Sequence, residues 1–182
     1  VVTGGPTHEA IDPIRYITNH SSGKQGFAIA RALHEQGATT TLITGPTQIP
    51  DPPGICVKHI TTAEEMLQSC LDCLPADIVI CAAAVSDWRI KNQYSEKIKK
   101  QDETLSLELM ENPDILATIA RTQKNRPNLV IGFAAETQNL LENATIKLDK
   151  KGCDWILANN VSKETGVFGG DTNQIKFISK NK

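Results

Sequence analysis

Two stretches of this chain constrain its fold more than any other feature. Asp77 to Ala84 and Leu129 to Ala135 are short, nearly continuous apolar runs. Runs of that length without alternation suit strands covered on both faces, as in the centre of a parallel sheet. Other strand-like and helix-like segments alternate around them. Val1 to Thr3 precedes a glycine turn, and Thr39 to Thr44 is β-branched. Ile55 to Ile60 follows a loop marked by Pro46, Pro50, Pro52, Pro53 and Gly54. Residues 24–36 set Phe27, Ala30 and Leu33 on one helical side and stop at Gly37. Thr62-Ala63-Glu64-Glu65 is a capping box opening a helix to about Leu74. Pro113 fits the first turn of a short helix. Residues 138–151 read as a helix ending before Gly152, and Trp155 to Ala158 and Gln174 to Ser179 as the last two strands.

One region breaks the pattern. Trp88 to Asp102 is polar, rich in lysine and without clear periodicity, and Leu105, Leu107 and Leu109 then alternate as in an exposed strand. Strands separated by helices imply right-handed crossovers. The expected fold is therefore α/β: a Rossmann-like three-layer αβα domain with a mostly parallel sheet and a lysine-rich lid. Residues 1–182 are read as one nucleotide-binding domain. Because Val1-Val2-Thr3 is already strand-like, the chain reads as a piece of a longer one.

Composition narrows the function. The formal net charge is −2, which disfavours nonspecific nucleic-acid binding. No apolar run is long enough to span a bilayer, and no signal-peptide pattern is present. Cys56, Cys70, Cys73, Cys81 and Cys153 are odd in number and irregular in spacing, which points to reduced thiols and a cytoplasmic location. Cys70 and Cys73 form a C-x-x-C pair, but within a helical pattern of Met66, Leu67, Leu71 and Leu74 and without a second Cys/His pair nearby. Core packing is the better reading than a redox or metal role.

In parallel sheets ligands bind beyond the carboxyl ends of the strands. Those ends carry Thr3-Gly4-Gly5-Pro6-Thr7, Thr44-Gly45-Pro46, Ala82 to Asp87, Gly132 to Glu136, and Ala158-Asn159-Asn160. Ala83 and Ala84 on this rim are candidate substrate contacts. Gly4 and Gly5 would let backbone N–H groups approach a phosphate, although a tight turn explains them equally well. The loop Asp12 to Gly26 is denser in chemistry. Ser21, Ser22 and Gly23 can present donors to an anion at a helix N-terminus, and Arg15 adds a fork of donors. The bland alternative makes Ser22 an N-cap and Asn19 a turn residue. Ser95-Glu96-Lys97-Ile98-Lys99-Lys100 could close over a polyphosphate or be a solvated charged loop. Lys147 and Lys151, four apart, share a helix face.

Taken together, Gly-Gly-Pro-Thr, Asp-Pro-Ile-Arg-Tyr-Ile-Thr-Asn-His-Ser-Ser-Gly-Lys, Ala-Ala-Ala-Val-Ser-Asp-Trp, Glu-Lys-Ile-Lys-Lys, Asn-Pro-Asp-Ile and Gly-Phe-Ala-Ala-Glu-Thr closely resemble the bacterial phosphopantothenoylcysteine synthetase family from Val1 to about Ile178. The resemblance implies activation of 4′-phosphopantothenate by CTP as an acyl-cytidylate with loss of pyrophosphate. Attack by L-cysteine then gives 4′-phosphopantothenoylcysteine and CMP. The choice of CTP rests on the resemblance alone. By position, Asn19 matches the residue at the acyl intermediate and Arg15 an arginine close to it. Asp87 matches a nucleotide-contacting aspartate, and Lys97 the lid lysine. Pro113, Asp114, Ile115 and Leu116 match the cytidine wall, Phe133 the aromatic beside the nucleotide, and Lys147 and Lys151 two CTP-contacting lysines. The resemblance also implies Mg2+ with the triphosphate, a homodimer, and frequent fusion to a flavin-dependent decarboxylase. No carboxylate cluster marks a metal cage. Family members usually continue past the last strand, whereas this sequence stops at Lys182.

Two other readings compete. An NAD-linked oxidoreductase would need G-x-G-x-x-G after the first strand and an acidic residue ending the second, where Thr44-Gly45-Pro46 stands instead. A noncatalytic nucleotide sensor explains the phosphate loops but not the lid lysines together with Asn19.

Overall fold

Leu42 and Ile43 are neighbours on one strand, point to opposite faces, and are both completely buried. Leu42 packs with Val2, Phe27, Ala30, Ile80 and Ile131. Ile43 packs with Met66, Val79, Ile119, Val130 and Leu148. The split recurs at Val79/Ile80 and Val130/Ile131. Each such side chain stabilises the fold by about 1.5–3 kcal/mol on burial. A sheet with two apolar faces must be covered on both.

The computed structural model describes residues 1–100, 104–161 and 173–180. In chain order its elements are β1 (Val2–Gly4), β2 (Glu9–Ala10), β3 (Tyr16–Ile17), α1 (Lys24–Glu35), β4 (Thr41–Thr44), β5 (Cys56–His59), α2 (Ala63–Leu71) and β6 (Ile78–Cys81). There follow β7 (Trp88–Ile90), β8 (Leu109–Glu111), α3 (Ile115–Ala120), β9 (Leu129–Glu136), α4 (Leu140–Lys151), β10 (Trp155–Asn160) and β11 (Ile175–Ser179). Among the described residues the main sheet has seven strands, ordered β11-β10-β9-β6-β1-β4-β5. Every neighbouring pair is parallel except β10 with β11. Phe27 and Ala30 of α1 fill the core on one face, whereas residues of α2, α3 and α4 fill the other. The α/β three-layer expectation holds. From β1 the chain builds β4 and β5 to one side, then returns to lay β6, β9 and β10 on the other. The reversal opens a crevice between β1 and β6, the place where such sheets bind ligands.

Local chemistry explains most element ends. Thr62 accepts from the Glu65 N–H at 3.2 Å while the Glu65 carboxylate accepts from the Thr62 N–H at 3.0 Å, so the capping box forms. Its helix stops at Leu71, three residues short of expectation. Gly26 of α1 lies against β1: a Cβ there would sit 2.7 Å from the Gly4 Cα and 2.9 Å from the Thr3 carbonyl oxygen. Gly26 on the helix and Gly4 on the strand therefore let the two backbones approach.

Several expectations need correction. Residues 104–108 form no strand; only Leu109–Glu111 does, pairing antiparallel with Trp88–Ile90 from the segment that had shown no pattern. The hairpin is held by its ladder and by buried Ile90, not by an alternating face. A second small hairpin, β2 with β3, was invisible in the sequence because each strand has two residues. Pro113 lies outside its helix, whose N-cap is Asp114. Ser22 caps nothing: α1 begins after Gly23, whose φ of 81° is left-handed, and no side chain caps it. No helix among the described residues is long and apolar enough to cross a membrane.

Candidate active site

Beyond the carboxyl ends of β1 and β6 lies a broad cleft of about 1440 Å3. Its floor is the segment Ala83 to Asp87, and four side chains hold that segment's backbone. Thr3 Oγ1 accepts from the Ala83 N–H at 3.2 Å, and Thr7 Oγ1 from the Ser86 N–H at 3.0 Å. Asn112 Nδ2 donates to the Ser86 carbonyl at 2.8 Å, and its main-chain N–H donates to the Asp87 carbonyl at 2.9 Å. Asn19 Nδ2 donates to the Ala84 carbonyl, while its Oδ1 accepts from the Ser21 N–H at 3.2 Å. Asn19 is thus a turn residue and a floor anchor at once, tying the loop before α1 to the end of β6.

Fourteen of the expected site residues line this cleft: Asn19, Ser21, Ser22, Gly23, Ala83, Ala84, Asp87, Pro113, Asp114, Ile115, Leu116, Phe133, Lys147 and Lys151. They come from five separate stretches of chain. Ser21 Oγ accepts from the Gly23 N–H at 3.3 Å, shaping the rim where the positive end of α1 opens. Asp87 exposes its carboxylate there. The apolar lining comes from both faces of the sheet, Phe133 of β9 on the α1 side and Ile115 and Leu116 of α3 on the other.

The far wall is cationic. Lys147 and Lys151 follow one another on α4, both half-buried. Burial lowers the Lys147 pKa, and Lys151 lowers it further, against opposing pulls from Glu136, Asp114 and Asp87. Lys151 is paired with Asp114. Burial pushes the Asp114 carboxyl up, but Lys151, the Ala117 N–H and Lys147 outweigh it and hold the pKa below its ordinary value. Across the cleft lining, Lys24, Arg31, Lys147, Lys150 and Lys151 outnumber Asp87, Glu111 and Asp114, an excess of positive charge that suits a phosphate chain.

Four expected residues lie elsewhere. Gly4 and Gly5 are buried under the rim, against Gly26 and against Thr44, Gly45 and Thr47, and do not line the cleft. Their role is packing. Lys97 is exposed and outside the lining, and Arg15 pairs with Asp12 and donates to the Ile98 carbonyl at 3.1 Å. The sequence placed Thr3 and Thr7 at a strand end and Asn112 in a motif but gave none of the three a role in the site. Thr3 and Thr7 are almost wholly buried polar residues at a strand end, and Asn112 immediately precedes Pro113-Asp114. Among the described residues no three His, Cys, Asp or Glu side chains gather as metal ligands.

The family model for the DNA/pantothenate metabolism flavoprotein C-terminal domain matches residues 1–182. The chain belongs to this family. A relative from Haemophilus influenzae, the coenzyme A biosynthesis bifunctional protein CoaBC, is 44% identical over 181 residues, covering 99% of this chain and 45% of its own. The chain therefore spans about half the length of the curated relatives it matches. A crystal structure of the C-terminal domain of CoaBC superposes with a TM-score of 0.79 at 38% identity, over 98% of this chain and 79% of that one. The DNA/pantothenate metabolism flavoprotein from Streptococcus pneumoniae gives 0.83 at 28% identity, over 100% and 88%. The family match covers the cleft as a whole, including the floor-holding Thr3, Thr7 and Asn112.

Proposed function

We propose that this chain is the ligase that joins 4′-phosphopantothenate to L-cysteine, with CTP as the activating nucleotide. One observation carries the reading. The cleft gathers fourteen residues, expected from separate motifs, at the switch point of the sheet. The wall of Lys147 and Lys151 and the positive end of α1 suit the triphosphate. The apolar lining at Phe133, Ile115 and Leu116 suits a flat base. Asn19 and the Ala83–Ala84 backbone suit the acyl group between them.

In this reading a carboxylate oxygen of 4′-phosphopantothenate attacks the α-phosphorus of CTP, and pyrophosphate departs with the electron pair of the broken P–O bond. The α-ammonium of cysteine loses a proton to become the free amine, which attacks the acyl carbon; CMP leaves and the nitrogen gives up a second proton. The enzyme's share is positioning and charge stabilisation. Mg2+ would accompany the triphosphate, since Asp87 offers one exposed carboxylate and phosphate-bound Mg2+ uses one or two. Bound there, it would neutralise charge on the phosphates. Exposed Ile14, Tyr16, Trp88, Leu109 and Met110 on or beside the two small hairpins support assembly as a homodimer.

Pyrophosphate release tests the reading. The purified chain with Mg2+ should release pyrophosphate only when both CTP and 4′-phosphopantothenate are present, and form the amide only when L-cysteine is added. Absence of release with both substrates contradicts the proposal.

A further inference from the structure

The side chain of Asp12 is fully buried, yet it sits in the loop before α1 and belongs to no strand or helix. An isolated buried carboxylate is costly unless hydrogen bonds surround it. Here they do. Oδ1 accepts from the N–H groups of Ile14 and Arg15, both at 2.9 Å. Oδ2 accepts from Arg15 Nε at 3.0 Å and from Arg15 Nη2. Oδ2 also accepts from the Ile98 N–H at 3.1 Å, a bond across 86 positions of sequence. The same Arg15 Nη2 donates to the Ile98 carbonyl at 3.1 Å. Both main-chain groups of Ile98 are therefore held by one ion pair. A second tie lies four residues earlier, where the Tyr94 N–H donates to the Ile11 carbonyl at 3.1 Å. Ser95, Glu96 and Lys97 form an arch between these two ties. Lys97, Lys99 and Lys100 stay exposed, and among the described residues it is the main chain of their segment that is tied down. The Arg15 guanidinium holds the Asp12 carboxyl well below the usual carboxylate range, so the pair stays charged at neutral pH.

We infer that Asp12 is a positioning residue: with Arg15 it docks the lysine segment at Ile98 and thereby sets the reach of Lys97 towards the cleft. The role assigned to Lys97 rests on the ligase reading; the docking itself does not. In this state Arg15 is a strut of the lysine segment.

Trypsin on the substrate-free protein tests the docking. Nicking after Lys97, Lys99 and Lys100 is compared with cleavage after Arg31 in α1, which reports global opening. Asp12→Asn and Arg15→Gln should each raise nicking at the segment by about tenfold over wild type, without raising cleavage after Arg31 in proportion. The double variant should add little to either single one, because both remove the same clamp. If Asp12→Asn fails to fold, Arg15→Gln decides alone, since its side chain is 43% exposed and lies outside the core. In turnover, Asp12→Asn should lower kcat for pyrophosphate release, leave KM for cysteine unchanged, and recover in part with Asp12→Glu. Unchanged nicking at the segment in a folded Arg15→Gln protein overturns the inference. Increased nicking in a protein that never releases pyrophosphate keeps the docking and rejects the ligase reading.

Discussion

Lys151 forms an ion pair with Asp114, and Asp114 is at the same time the N-cap of α3, accepting from the Ala117 N–H at 3.0 Å. One carboxylate thus ends a helix and neutralises half of the cleft's lysine pair. Lys147 has no such dedicated partner in the cleft wall; its opposing charges on Glu136, Asp114 and Asp87 act from a distance. The wall is set to take up negative charge, with Lys147 the most responsive group.

That asymmetry gives a pH signature. Burial holds the Lys147 pKa below the ordinary 10.5 in the free protein. Phosphate beside it would raise that pKa on binding, so the added affinity is full below the free-state pKa, declines above it, and is lost as pH rises through the bound-state pKa. CTP affinity measured calorimetrically from about pH 7 to about pH 10 should begin to fall before an ordinary lysine titrates. In Lys147→Met the overall affinity should be weaker and this part of the decline absent. Thermal stability at neutral pH should stay level or rise, because a partly buried charge has been removed. An identical pH profile in the variant would exclude Lys147 from nucleotide binding.

Asp114 is separable from its ion pair. Asp114→Ala should cost about 1 kcal/mol in denaturant unfolding through loss of the cap. Asp114→Asn keeps an oxygen for the Ala117 N–H and should recover most of that loss. Equal destabilisation in both would mean that pairing with Lys151, and not capping, is what the carboxylate contributes.

Asn19→Asp keeps shape but turns the donor facing the Ala84 carbonyl into an acceptor. Acyl-cytidylate should still form, and its transfer to cysteine should slow by on the order of 10²-fold, so the intermediate accumulates. Rapid quench with and without cysteine reads this directly. Wild-type turnover of the intermediate would leave Asn19 only its loop role.

Gly26→Ala probes the seam between α1 and β1. The new methyl carbon would fall inside contact distance of two backbone atoms, neither of which can rotate away. A loss of about 1–3 kcal/mol in unfolding free energy is expected. Unchanged stability would mean that α1 can slide on the sheet.

These cases mark how far the sequence could be read. The apolar runs at β6 and β9 made the two-faced sheet legible, because burial on both sides leaves a pattern within a few residues. The Thr62/Glu65 capping box was legible because its two hydrogen bonds join residues only three apart. The strands Glu9–Ala10 and Trp88–Ile90 were not, being too short for any periodicity and defined by partners elsewhere in the chain. Ser22 looked like a cap because its type is right, but the left-handed Gly23 took the position. For the site, the strand ends pointed to the rim of the sheet, and the family resemblance supplied Asp87, Pro113 to Leu116 and Phe133 of the cleft lining. They could not place Arg15, which is turned onto Asp12, or Lys97, whose segment is tied to Asp12 through the Ile98 N–H.

The most direct measurement of the proposed chemistry follows one atom. 4′-Phosphopantothenate labelled with heavy oxygen in its carboxylate is turned over with CTP, Mg2+ and L-cysteine, and the products are weighed by mass spectrometry. Attack on the α-phosphorus and departure of CMP should leave one heavy oxygen in CMP and none in pyrophosphate. Label in orthophosphate, or an amide formed without label in CMP, would contradict activation as an acyl-cytidylate.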